Sequence, residues 1–243
     1  MNERPDTDPI EVKVVDPSQP DTAPETPAEE QVSTLRLVAT LAVAGAVAGL
    51  LIVLVNLHTK PIIDEYRAEQ LRLAVYEVLP GVARYRTLYR VDDALVAQVP
   101  EGAKASDFRQ AYVGYDETGE MIGVATSRGE SGFQDIVLVI FGFEPESGIL
   151  LGMKVLESKE TPGLGDKIFK DQVFVDQFFA RPQTPLAAIK KGSGKGLPGE
   201  IDAITGATIS SKVVVSIINN GIADWQGVLQ QADLEQIVPE EAP

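Results

Sequence analysis

Two stretches hold residues able to do chemistry. The first is Asp202-Ala-Ile-Thr-Gly-Ala-Thr-Ile-Ser-Ser211, where an apolar run ends in a Thr205-Gly206-Ala207 turn and hydroxyls follow at Thr208, Ser210 and Ser211. An apolar periodic segment from Lys212 to Ile218 comes next. The hydroxyls therefore stand where a helix begins, at amides that have no partner inside the helix, and are expected to cap it. Those amides and the positive end of the helix dipole favour an anion, phosphate above all. Gly206 and Ala207 add little bulk, which leaves Thr208 open to a large ligand. An ordinary turn and cap uses the same residues, and four positions do not separate the two readings.

The second stretch is Ser158-Lys-Glu-Thr-Pro-Gly-Leu-Gly-Asp-Lys-Ile168. A proline and two glycines within four residues call for special backbone angles. An exposed Glu160 and Thr161 are expected to bond a polar ring edge, a role in keeping with so long and irregular a loop. Two other glycine-bearing runs are weaker. Gly192-Ser-Gly-Lys-Gly196 has neither the Walker nor the dinucleotide spacing and is expected to be a flexible hairpin tip; Gly163-Leu-Gly-Asp-Lys167 is not a P-loop.

Composition excludes several other chemistries. The 243-residue chain has a formal net charge of -15, contrary to the positive face that a nucleic-acid backbone requires. It has no cysteine, which removes thiolate zinc sites, iron–sulfur clusters and disulfides. Its one histidine, His58, cannot build a metal cluster or a serine triad, so no metal site is expected. Redox or group-transfer chemistry here has to come from a cofactor.

The positioning elements read as follows. Residues 1–34 hold nine acids against Arg4 and Lys13, with six prolines and no aromatic, and are expected to be a disordered acidic tail. Leu37 to Val55 is apolar but for Thr40 and two glycines. A helix of that length spans roughly 28 Å, close to the thickness of a bilayer's hydrocarbon core. The acidic flank and the length of the run do not suit a cleaved signal peptide, so residues 35–58 are expected to be one uncleaved anchor. Gly45 and Gly49, four apart, would let a partner helix approach. Residues 59–82 are expected to continue as an amphipathic helix that stops near Pro80-Gly81.

An α+β domain with a mostly antiparallel sheet and flanking helices is expected over residues 83–236, before an acidic tail at 237–243. Strand-like segments are Tyr85–Tyr89, Leu95–Val99, Ala111–Tyr115, Met121–Ser127, Ile136–Phe143, Ile149–Leu156, Leu186–Lys190 and Glu200–Ile204. Asp166–Phe179 is expected to be one helix. Basic residues flank the anchor as Arg36 on one side and Lys60, Arg67 and Arg72 on the other. That count alone places the large domain in the cytoplasm.

Glu160-Thr-Pro-Gly-Leu-Gly-Asp-Lys-Ile168, followed by Asp202-Ala-Ile-Thr-Gly-Ala-Thr208 and preceded by a single span, resembles the G subunit of the Rnf electron-transport complex. It is also similar to the C subunit of the sodium-pumping NADH:quinone reductase. The Asp-Lys-Ile continuation and the Thr-Gly-Ala-Thr-Ile-Ser-Ser run favour the Rnf member. The resemblance implies an FMN-binding domain, with FMN joined by a phosphoester to Thr208. It places Thr205, Gly206 and Ala207 in the same motif and makes Asp202 the acidic start that a flavin transferase recognises. It sets Glu160, Thr161, Gly163, Leu164 and Gly165 near the isoalloxazine. It assigns no residue an acid or base role.

By the same resemblance the chain is a redox subunit, not catalytic alone, of an ion-translocating ferredoxin:NAD oxidoreductase. Other membrane subunits of that complex would be its partners, through Gly45 and Gly49. The flavin domain would face the periplasm from a bacterial inner membrane, against the charge count. The quinone-reductase subunit and a non-redox, membrane-anchored adaptor stand as alternatives. Flavin fluorescence separates the adaptor from both redox readings.

Overall fold

The computed structural model describes residues 33–232 except 93, 180, 181 and 183. The acidic segments expected to be unstructured lie outside these residues, apart from Ser33 and Thr34. The chain divides at His58/Thr59 into two compact units. Helix α1 (Thr34–Val78) contributes to both. Its residues 34–58 are exposed throughout, and among the described residues it is the one helix long and apolar enough to cross a membrane. Pro61 lies inside it and, lacking an N–H, deprives the helix of one backbone hydrogen bond.

The second unit is built on a six-stranded antiparallel sheet: β1 (Arg84–Val91), β2 (Ala94–Val96), β3 (Arg109–Tyr115), β4 (Met121–Ser131), β5 (Ile136–Phe143) and β6 (Leu150–Glu157), in the order β2-β1-β3-β4-β5-β6. The expected strands are all present, with ends displaced by a few residues. Asp116 closes the β3–β4 turn, its Oδ1 accepting from the amides of Thr118 and Glu120 at 2.8 and 2.9 Å.

Strand periodicity sends alternate residues to opposite faces. On one face, Ala111, Val113, Tyr115, Val139, Phe141 and Phe143 join a core that includes Phe174, Phe178 and the apolar stripe of α4 (Thr208–Gln231). On the other, Tyr112, Ala125, Ile140 and Leu151 meet Ala74, Val75, Val78 and Leu79 at the end of α1. Two glycines permit this close layering. A Cβ on Gly142 would collide with the carbonyl of Val78, and one on Gly221 would meet the Phe141 ring.

Two expectations are corrected. The segment 166–179 is not one helix but α2 (Lys167–Lys170) and α3 (Gln172–Phe179), broken at Asp171, whose ψ is 99°. The Asp171 carboxylate accepts the Val173 amide at 3.1 Å, a local bond that competes with helix continuation. The glycine-rich 192–196 loop is not a hairpin tip either, since β7 (Ala187–Lys190) and β8 (Glu200–Ala203) run parallel as a separate two-stranded sheet. The connection 191–199 reaches at most about 30 Å when extended, ample for the return along such short strands.

Helix α4 is tied to the large sheet by charge as well as packing. Arg109 Nη1 meets Asp224 Oδ2 at 2.8 Å, and Arg128 contacts the same oxygen. Arg90 Nη1 donates to the Asp224 carbonyl at 2.6 Å. Ser216 and Asn220 donate to Glu130 of β4 at 2.9 and 2.8 Å. These bonds set where the first turn of α4 stands relative to the β4–β5 connection.

Candidate functional site

Strand β8 leads through Ile204–Ala207 into α4, and this turn forms one wall of a cavity. Gly206 takes a φ of +87°, which a side-chain-bearing residue rarely adopts. Ala207, not a hydroxyl residue, is the N-cap, and no side chain caps the helix. The hydroxyls expected as caps instead fall within the first turn, because the helix already begins at Thr208. Ser211 Oγ donates to the Ala207 carbonyl at 2.9 Å and accepts the Ile204 amide at 3.0 Å, stapling the turn to the helix. The Ser211 amide bonds the Ala207 carbonyl at 2.9 Å. The amides of Thr208, Ile209 and Ser210 precede it, and helix geometry supplies them with no intrahelical carbonyl.

The 158–166 loop forms the opposite wall. It turns tightly, with the Leu164 amide bonded to the Thr161 carbonyl at 3.2 Å and Gly163 at a φ of +78°. Asp166 closes the loop's far end through Lys170 at 2.7 Å, a contact that holds its carboxyl below the usual range. The β4–β5 connection supplies the third side through Phe133.

The cavity between these segments measures about 340 Å³, within the size range of small-molecule sites. It is lined by Phe133, Thr161, Leu164, Gly206, Thr208 and Ile209, together with Glu160, Gly165, Ala207 and Ser210. Phe133, Leu164 and Ile209 stand 67, 48 and 54 % exposed, an apolar rim around a polar floor.

Glu160 departs from expectation. It is not an exposed ring-edge donor or acceptor but is 5 % exposed. Its Oε1 accepts the amides of Phe133 and Gln134 at 2.8 and 3.1 Å, and its Oε2 accepts Ser210 Oγ at 2.7 Å. Burial pushes its pKa up, but the bonds from Ser210 and from the Gln134 and Phe133 amides outweigh burial, and the net shift is downward. The carboxylate is therefore the stable form. Thr161 Oγ1, at the rim, bonds Gln134 Oε1 at 3.2 Å.

The two motifs named from the sequence thus meet at one cavity, though not with every residue. Glu160, Thr161, Leu164, Gly165, Gly206, Ala207 and Thr208 line it; Gly163, Thr205 and Asp202 do not. Asp202 lies in β8, where its Oδ1 accepts the Gly192 amide at 3.2 Å and its backbone pairs with Gln177. Sequence reading missed Phe133 and Ile209 as lining residues and the bond between Ser210 and Glu160. Nothing near Phe133 marks it, since the β4–β5 connection enters only through the sheet. Ser210 was visible as part of the hydroxyl cluster.

Of the three hydroxyl residues, Thr208 and Ser210 line the cavity, and of these only Thr208 is exposed. Thr208 is exposed, whereas Ser210 and Ser211 are 2 and 0 % exposed and donate their protons to Glu160 and to the Ala207 carbonyl. An apolar rim suits a flat aromatic ring. An exposed hydroxyl beside unpaired helix amides suits a phosphate. The residues present therefore fit a flavin phosphate, which is both.

Residues 132–223 match the FMN-binding domain family. The G subunit of the Na(+)-translocating ferredoxin:NAD(+) oxidoreductase complex of Acetobacterium woodii is 33% identical over 189 residues, covering 77% of this chain and 89% of that protein. The G subunit of the ion-translocating oxidoreductase complex of Methanosarcina acetivorans is 30% identical, covering 77% of this chain and 92% of its own length. In fold, the crystal structure of Shewanella oneidensis NqrC superposes with a TM-score of 0.52 at 18% identity, covering 61% of this chain and 84% of that one. By identity at this level over most of both chains, the protein belongs to the family of G subunits of Rnf-type ion-translocating oxidoreductase complexes, and it carries that family's FMN-binding domain.

Proposed function

We propose that this chain is the electron-relay subunit of a membrane-bound ferredoxin:NAD-type ion-translocating oxidoreductase, with FMN attached by a phosphoester to Thr208 Oγ1. The observation that carries the reading is that Thr208, at the start of α4 and on the cavity wall, is exposed, while Ser210 and Ser211 are buried and already bonded. The bound flavin supplies one-electron acceptance and donation. The protein's own residues do the rest. The first-turn amides and the helix dipole stabilise the ester's negative charge by about 0.3–1 kcal/mol. Leu164, Phe133 and Ile209 shield apolar ring surface, and no side chain need move a proton.

The chain is not catalytic alone, and its electrons come from and go to neighbouring subunits of the complex. A partner helix packs against Gly45 and Gly49, where a Cβ would meet nothing within 4 Å. The anchor sits in a cytoplasmic membrane with the FMN domain on the periplasmic side, where a flavin transferase reads the motif beginning at Asp202. A reporter enzyme fused after residue 243 tests this: activity confined to the cytoplasm reverses the orientation.

The attachment is tested on the full chain made in cells that possess the transferase. Mass spectrometry of the peptide spanning 202–212 should show an FMN-sized addition, and the denatured band should fluoresce under ultraviolet light. Thr208→Val should abolish both. A fluorescent Thr208→Val band would move the acceptor to another hydroxyl, and an unmodified, dark wild-type band would end the redox reading.

A further inference from the structure

We propose that Glu160 is a positioning residue: its carboxylate clamps together the three segments that wall the cavity and presents a fixed negative charge to the group held there. The clamp stands on geometry alone; the effect of the charge rests on the FMN reading above.

The three donors to Glu160 come from distant parts of the chain. Phe133 and Gln134 belong to the β4–β5 connection and Ser210 to the first turn of α4, while Glu160 itself belongs to the 158–166 loop. One side chain thus holds every wall of the site. Two glycines make room for it. A Cβ on Gly132 would collide with Oε1, and one on Gly165 would lie 2.5 Å from Oε2 and 3.0 Å from Ser210 Oγ. Gly165 is therefore explained by the carboxylate beneath it as much as by the turn it occupies.

The donors are also chemically telling. All three are neutral groups, two amides and a hydroxyl, so they stabilise the carboxylate without cancelling its charge. Among the residues lining the cavity, Glu160 alone is ionisable. An anion in a low-dielectric wall makes each added electron less favourable for the group beside it. Glu160 therefore biases the cofactor toward giving electrons up, an effect separate from holding the walls.

Substitutions in the full chain separate these two effects. In Glu160→Gln the amide oxygen can still accept from Phe133 and Gln134 while its NH₂ donates to the Ser210 oxygen, so the walls stay joined and the charge is lost. Glu160→Ala removes both. Hydrogen exchange should then speed up by about tenfold in peptides covering 132–136 in Glu160→Ala, with the β5 core unchanged, because the Phe133 and Gln134 amides lose their acceptor. Glu160→Gln should keep that protection, retain the flavin, and shift its midpoint potential in the positive direction. Unchanged exchange in Glu160→Ala overturns the clamp, and an unchanged potential in flavin-bearing Glu160→Gln overturns the charge effect. Should Glu160→Ala fail to fold, Glu160→Asp, too short to reach both sets of donors, replaces it with the same expectation. Repeating the exchange in a Thr208→Val background decides the clamp whether or not FMN is attached. A wild-type chain without flavin would overturn the attachment and the charge effect while leaving the clamp to stand or fall on exchange.

Discussion

The loops 158–166 and 191–199 are alike as strings of residues and opposite as structures. Each carries at least one glycine at positive φ, and at each a glutamate collects backbone amides. For the second loop the acceptor is Glu200, the first residue of β8, which takes the amides of Lys195 and Leu197, three to five residues away, at 2.8 and 3.1 Å in an exposed setting. In the first, Glu160 is buried and takes amides 26 and 27 residues away and a hydroxyl 50 residues away. A glutamate that bonds only its neighbours shapes a turn. One that bonds two remote segments builds a cavity. Glycine content distinguishes nothing here; the sequence separation of the partners does.

The contrast is broken most severely at its glycines. Gly165→Ala would push a methyl 2.5 Å from Glu160 Oε2 and 2.8 Å from Glu160 Cβ, so the Glu160 side chain and the bonds it makes must shift. It should cost about 1–3 kcal/mol of stability, read by thermal denaturation of the detergent-solubilised chain. Gly196→Ala meets nothing within 4 Å and bears only the strain of its φ of +72°, so it should cost about 1 kcal/mol. Equal losses would mean that the two loops are not energetically different.

A gentler probe is acid. The Glu160 carboxyl is held below its unfolded value, against the upward push of burial, by Ser210 and the amides of Gln134 and Phe133. Its stabilisation is therefore complete above an unfolded pKa of about 4.3 and is lost as pH falls through the lower folded value. Comparing melting temperature against pH for the wild-type chain and Glu160→Gln should show the wild type losing more stability below about pH 4. Parallel curves would contradict that assignment. The smallest effect belongs to Glu200→Gln. Its amide oxygen still accepts the same local bonds near solvent, so a loss of about 0.5 kcal/mol or less is expected. A larger loss would give the second loop a role beyond its turn.

Much of this molecule was legible from local pattern. The apolar run from Leu37 to Val55, the alternation in β3 and β5, and the turn residues Asp116–Gly119 each carry their structure in adjacent residues, because the physical demand is satisfied within the segment. The pairing of the Glu160–Ile168 and Asp202–Thr208 stretches was legible as a resemblance. Their meeting at one cavity was implied by that resemblance alone, since nothing in either stretch says which faces the other. The break at Asp171 was missed because one carboxylate-to-amide bond overrides an otherwise helical spacing. The parallel run of β7 and β8 was missed because strand direction is decided by how the connection is packed, not by its glycines.

By itself, the order of residues determined an anchor helix, an antiparallel meander and a cluster of hydroxyls at the start of a helix. Only the folded chain decided which hydroxyl residue stays exposed at the cavity and that Glu160 lies buried in its wall rather than at its rim. Periodicity is a property of neighbours along the chain. Burial and hydrogen-bond partnership belong to segments that first meet when the sheet and α4 close on each other.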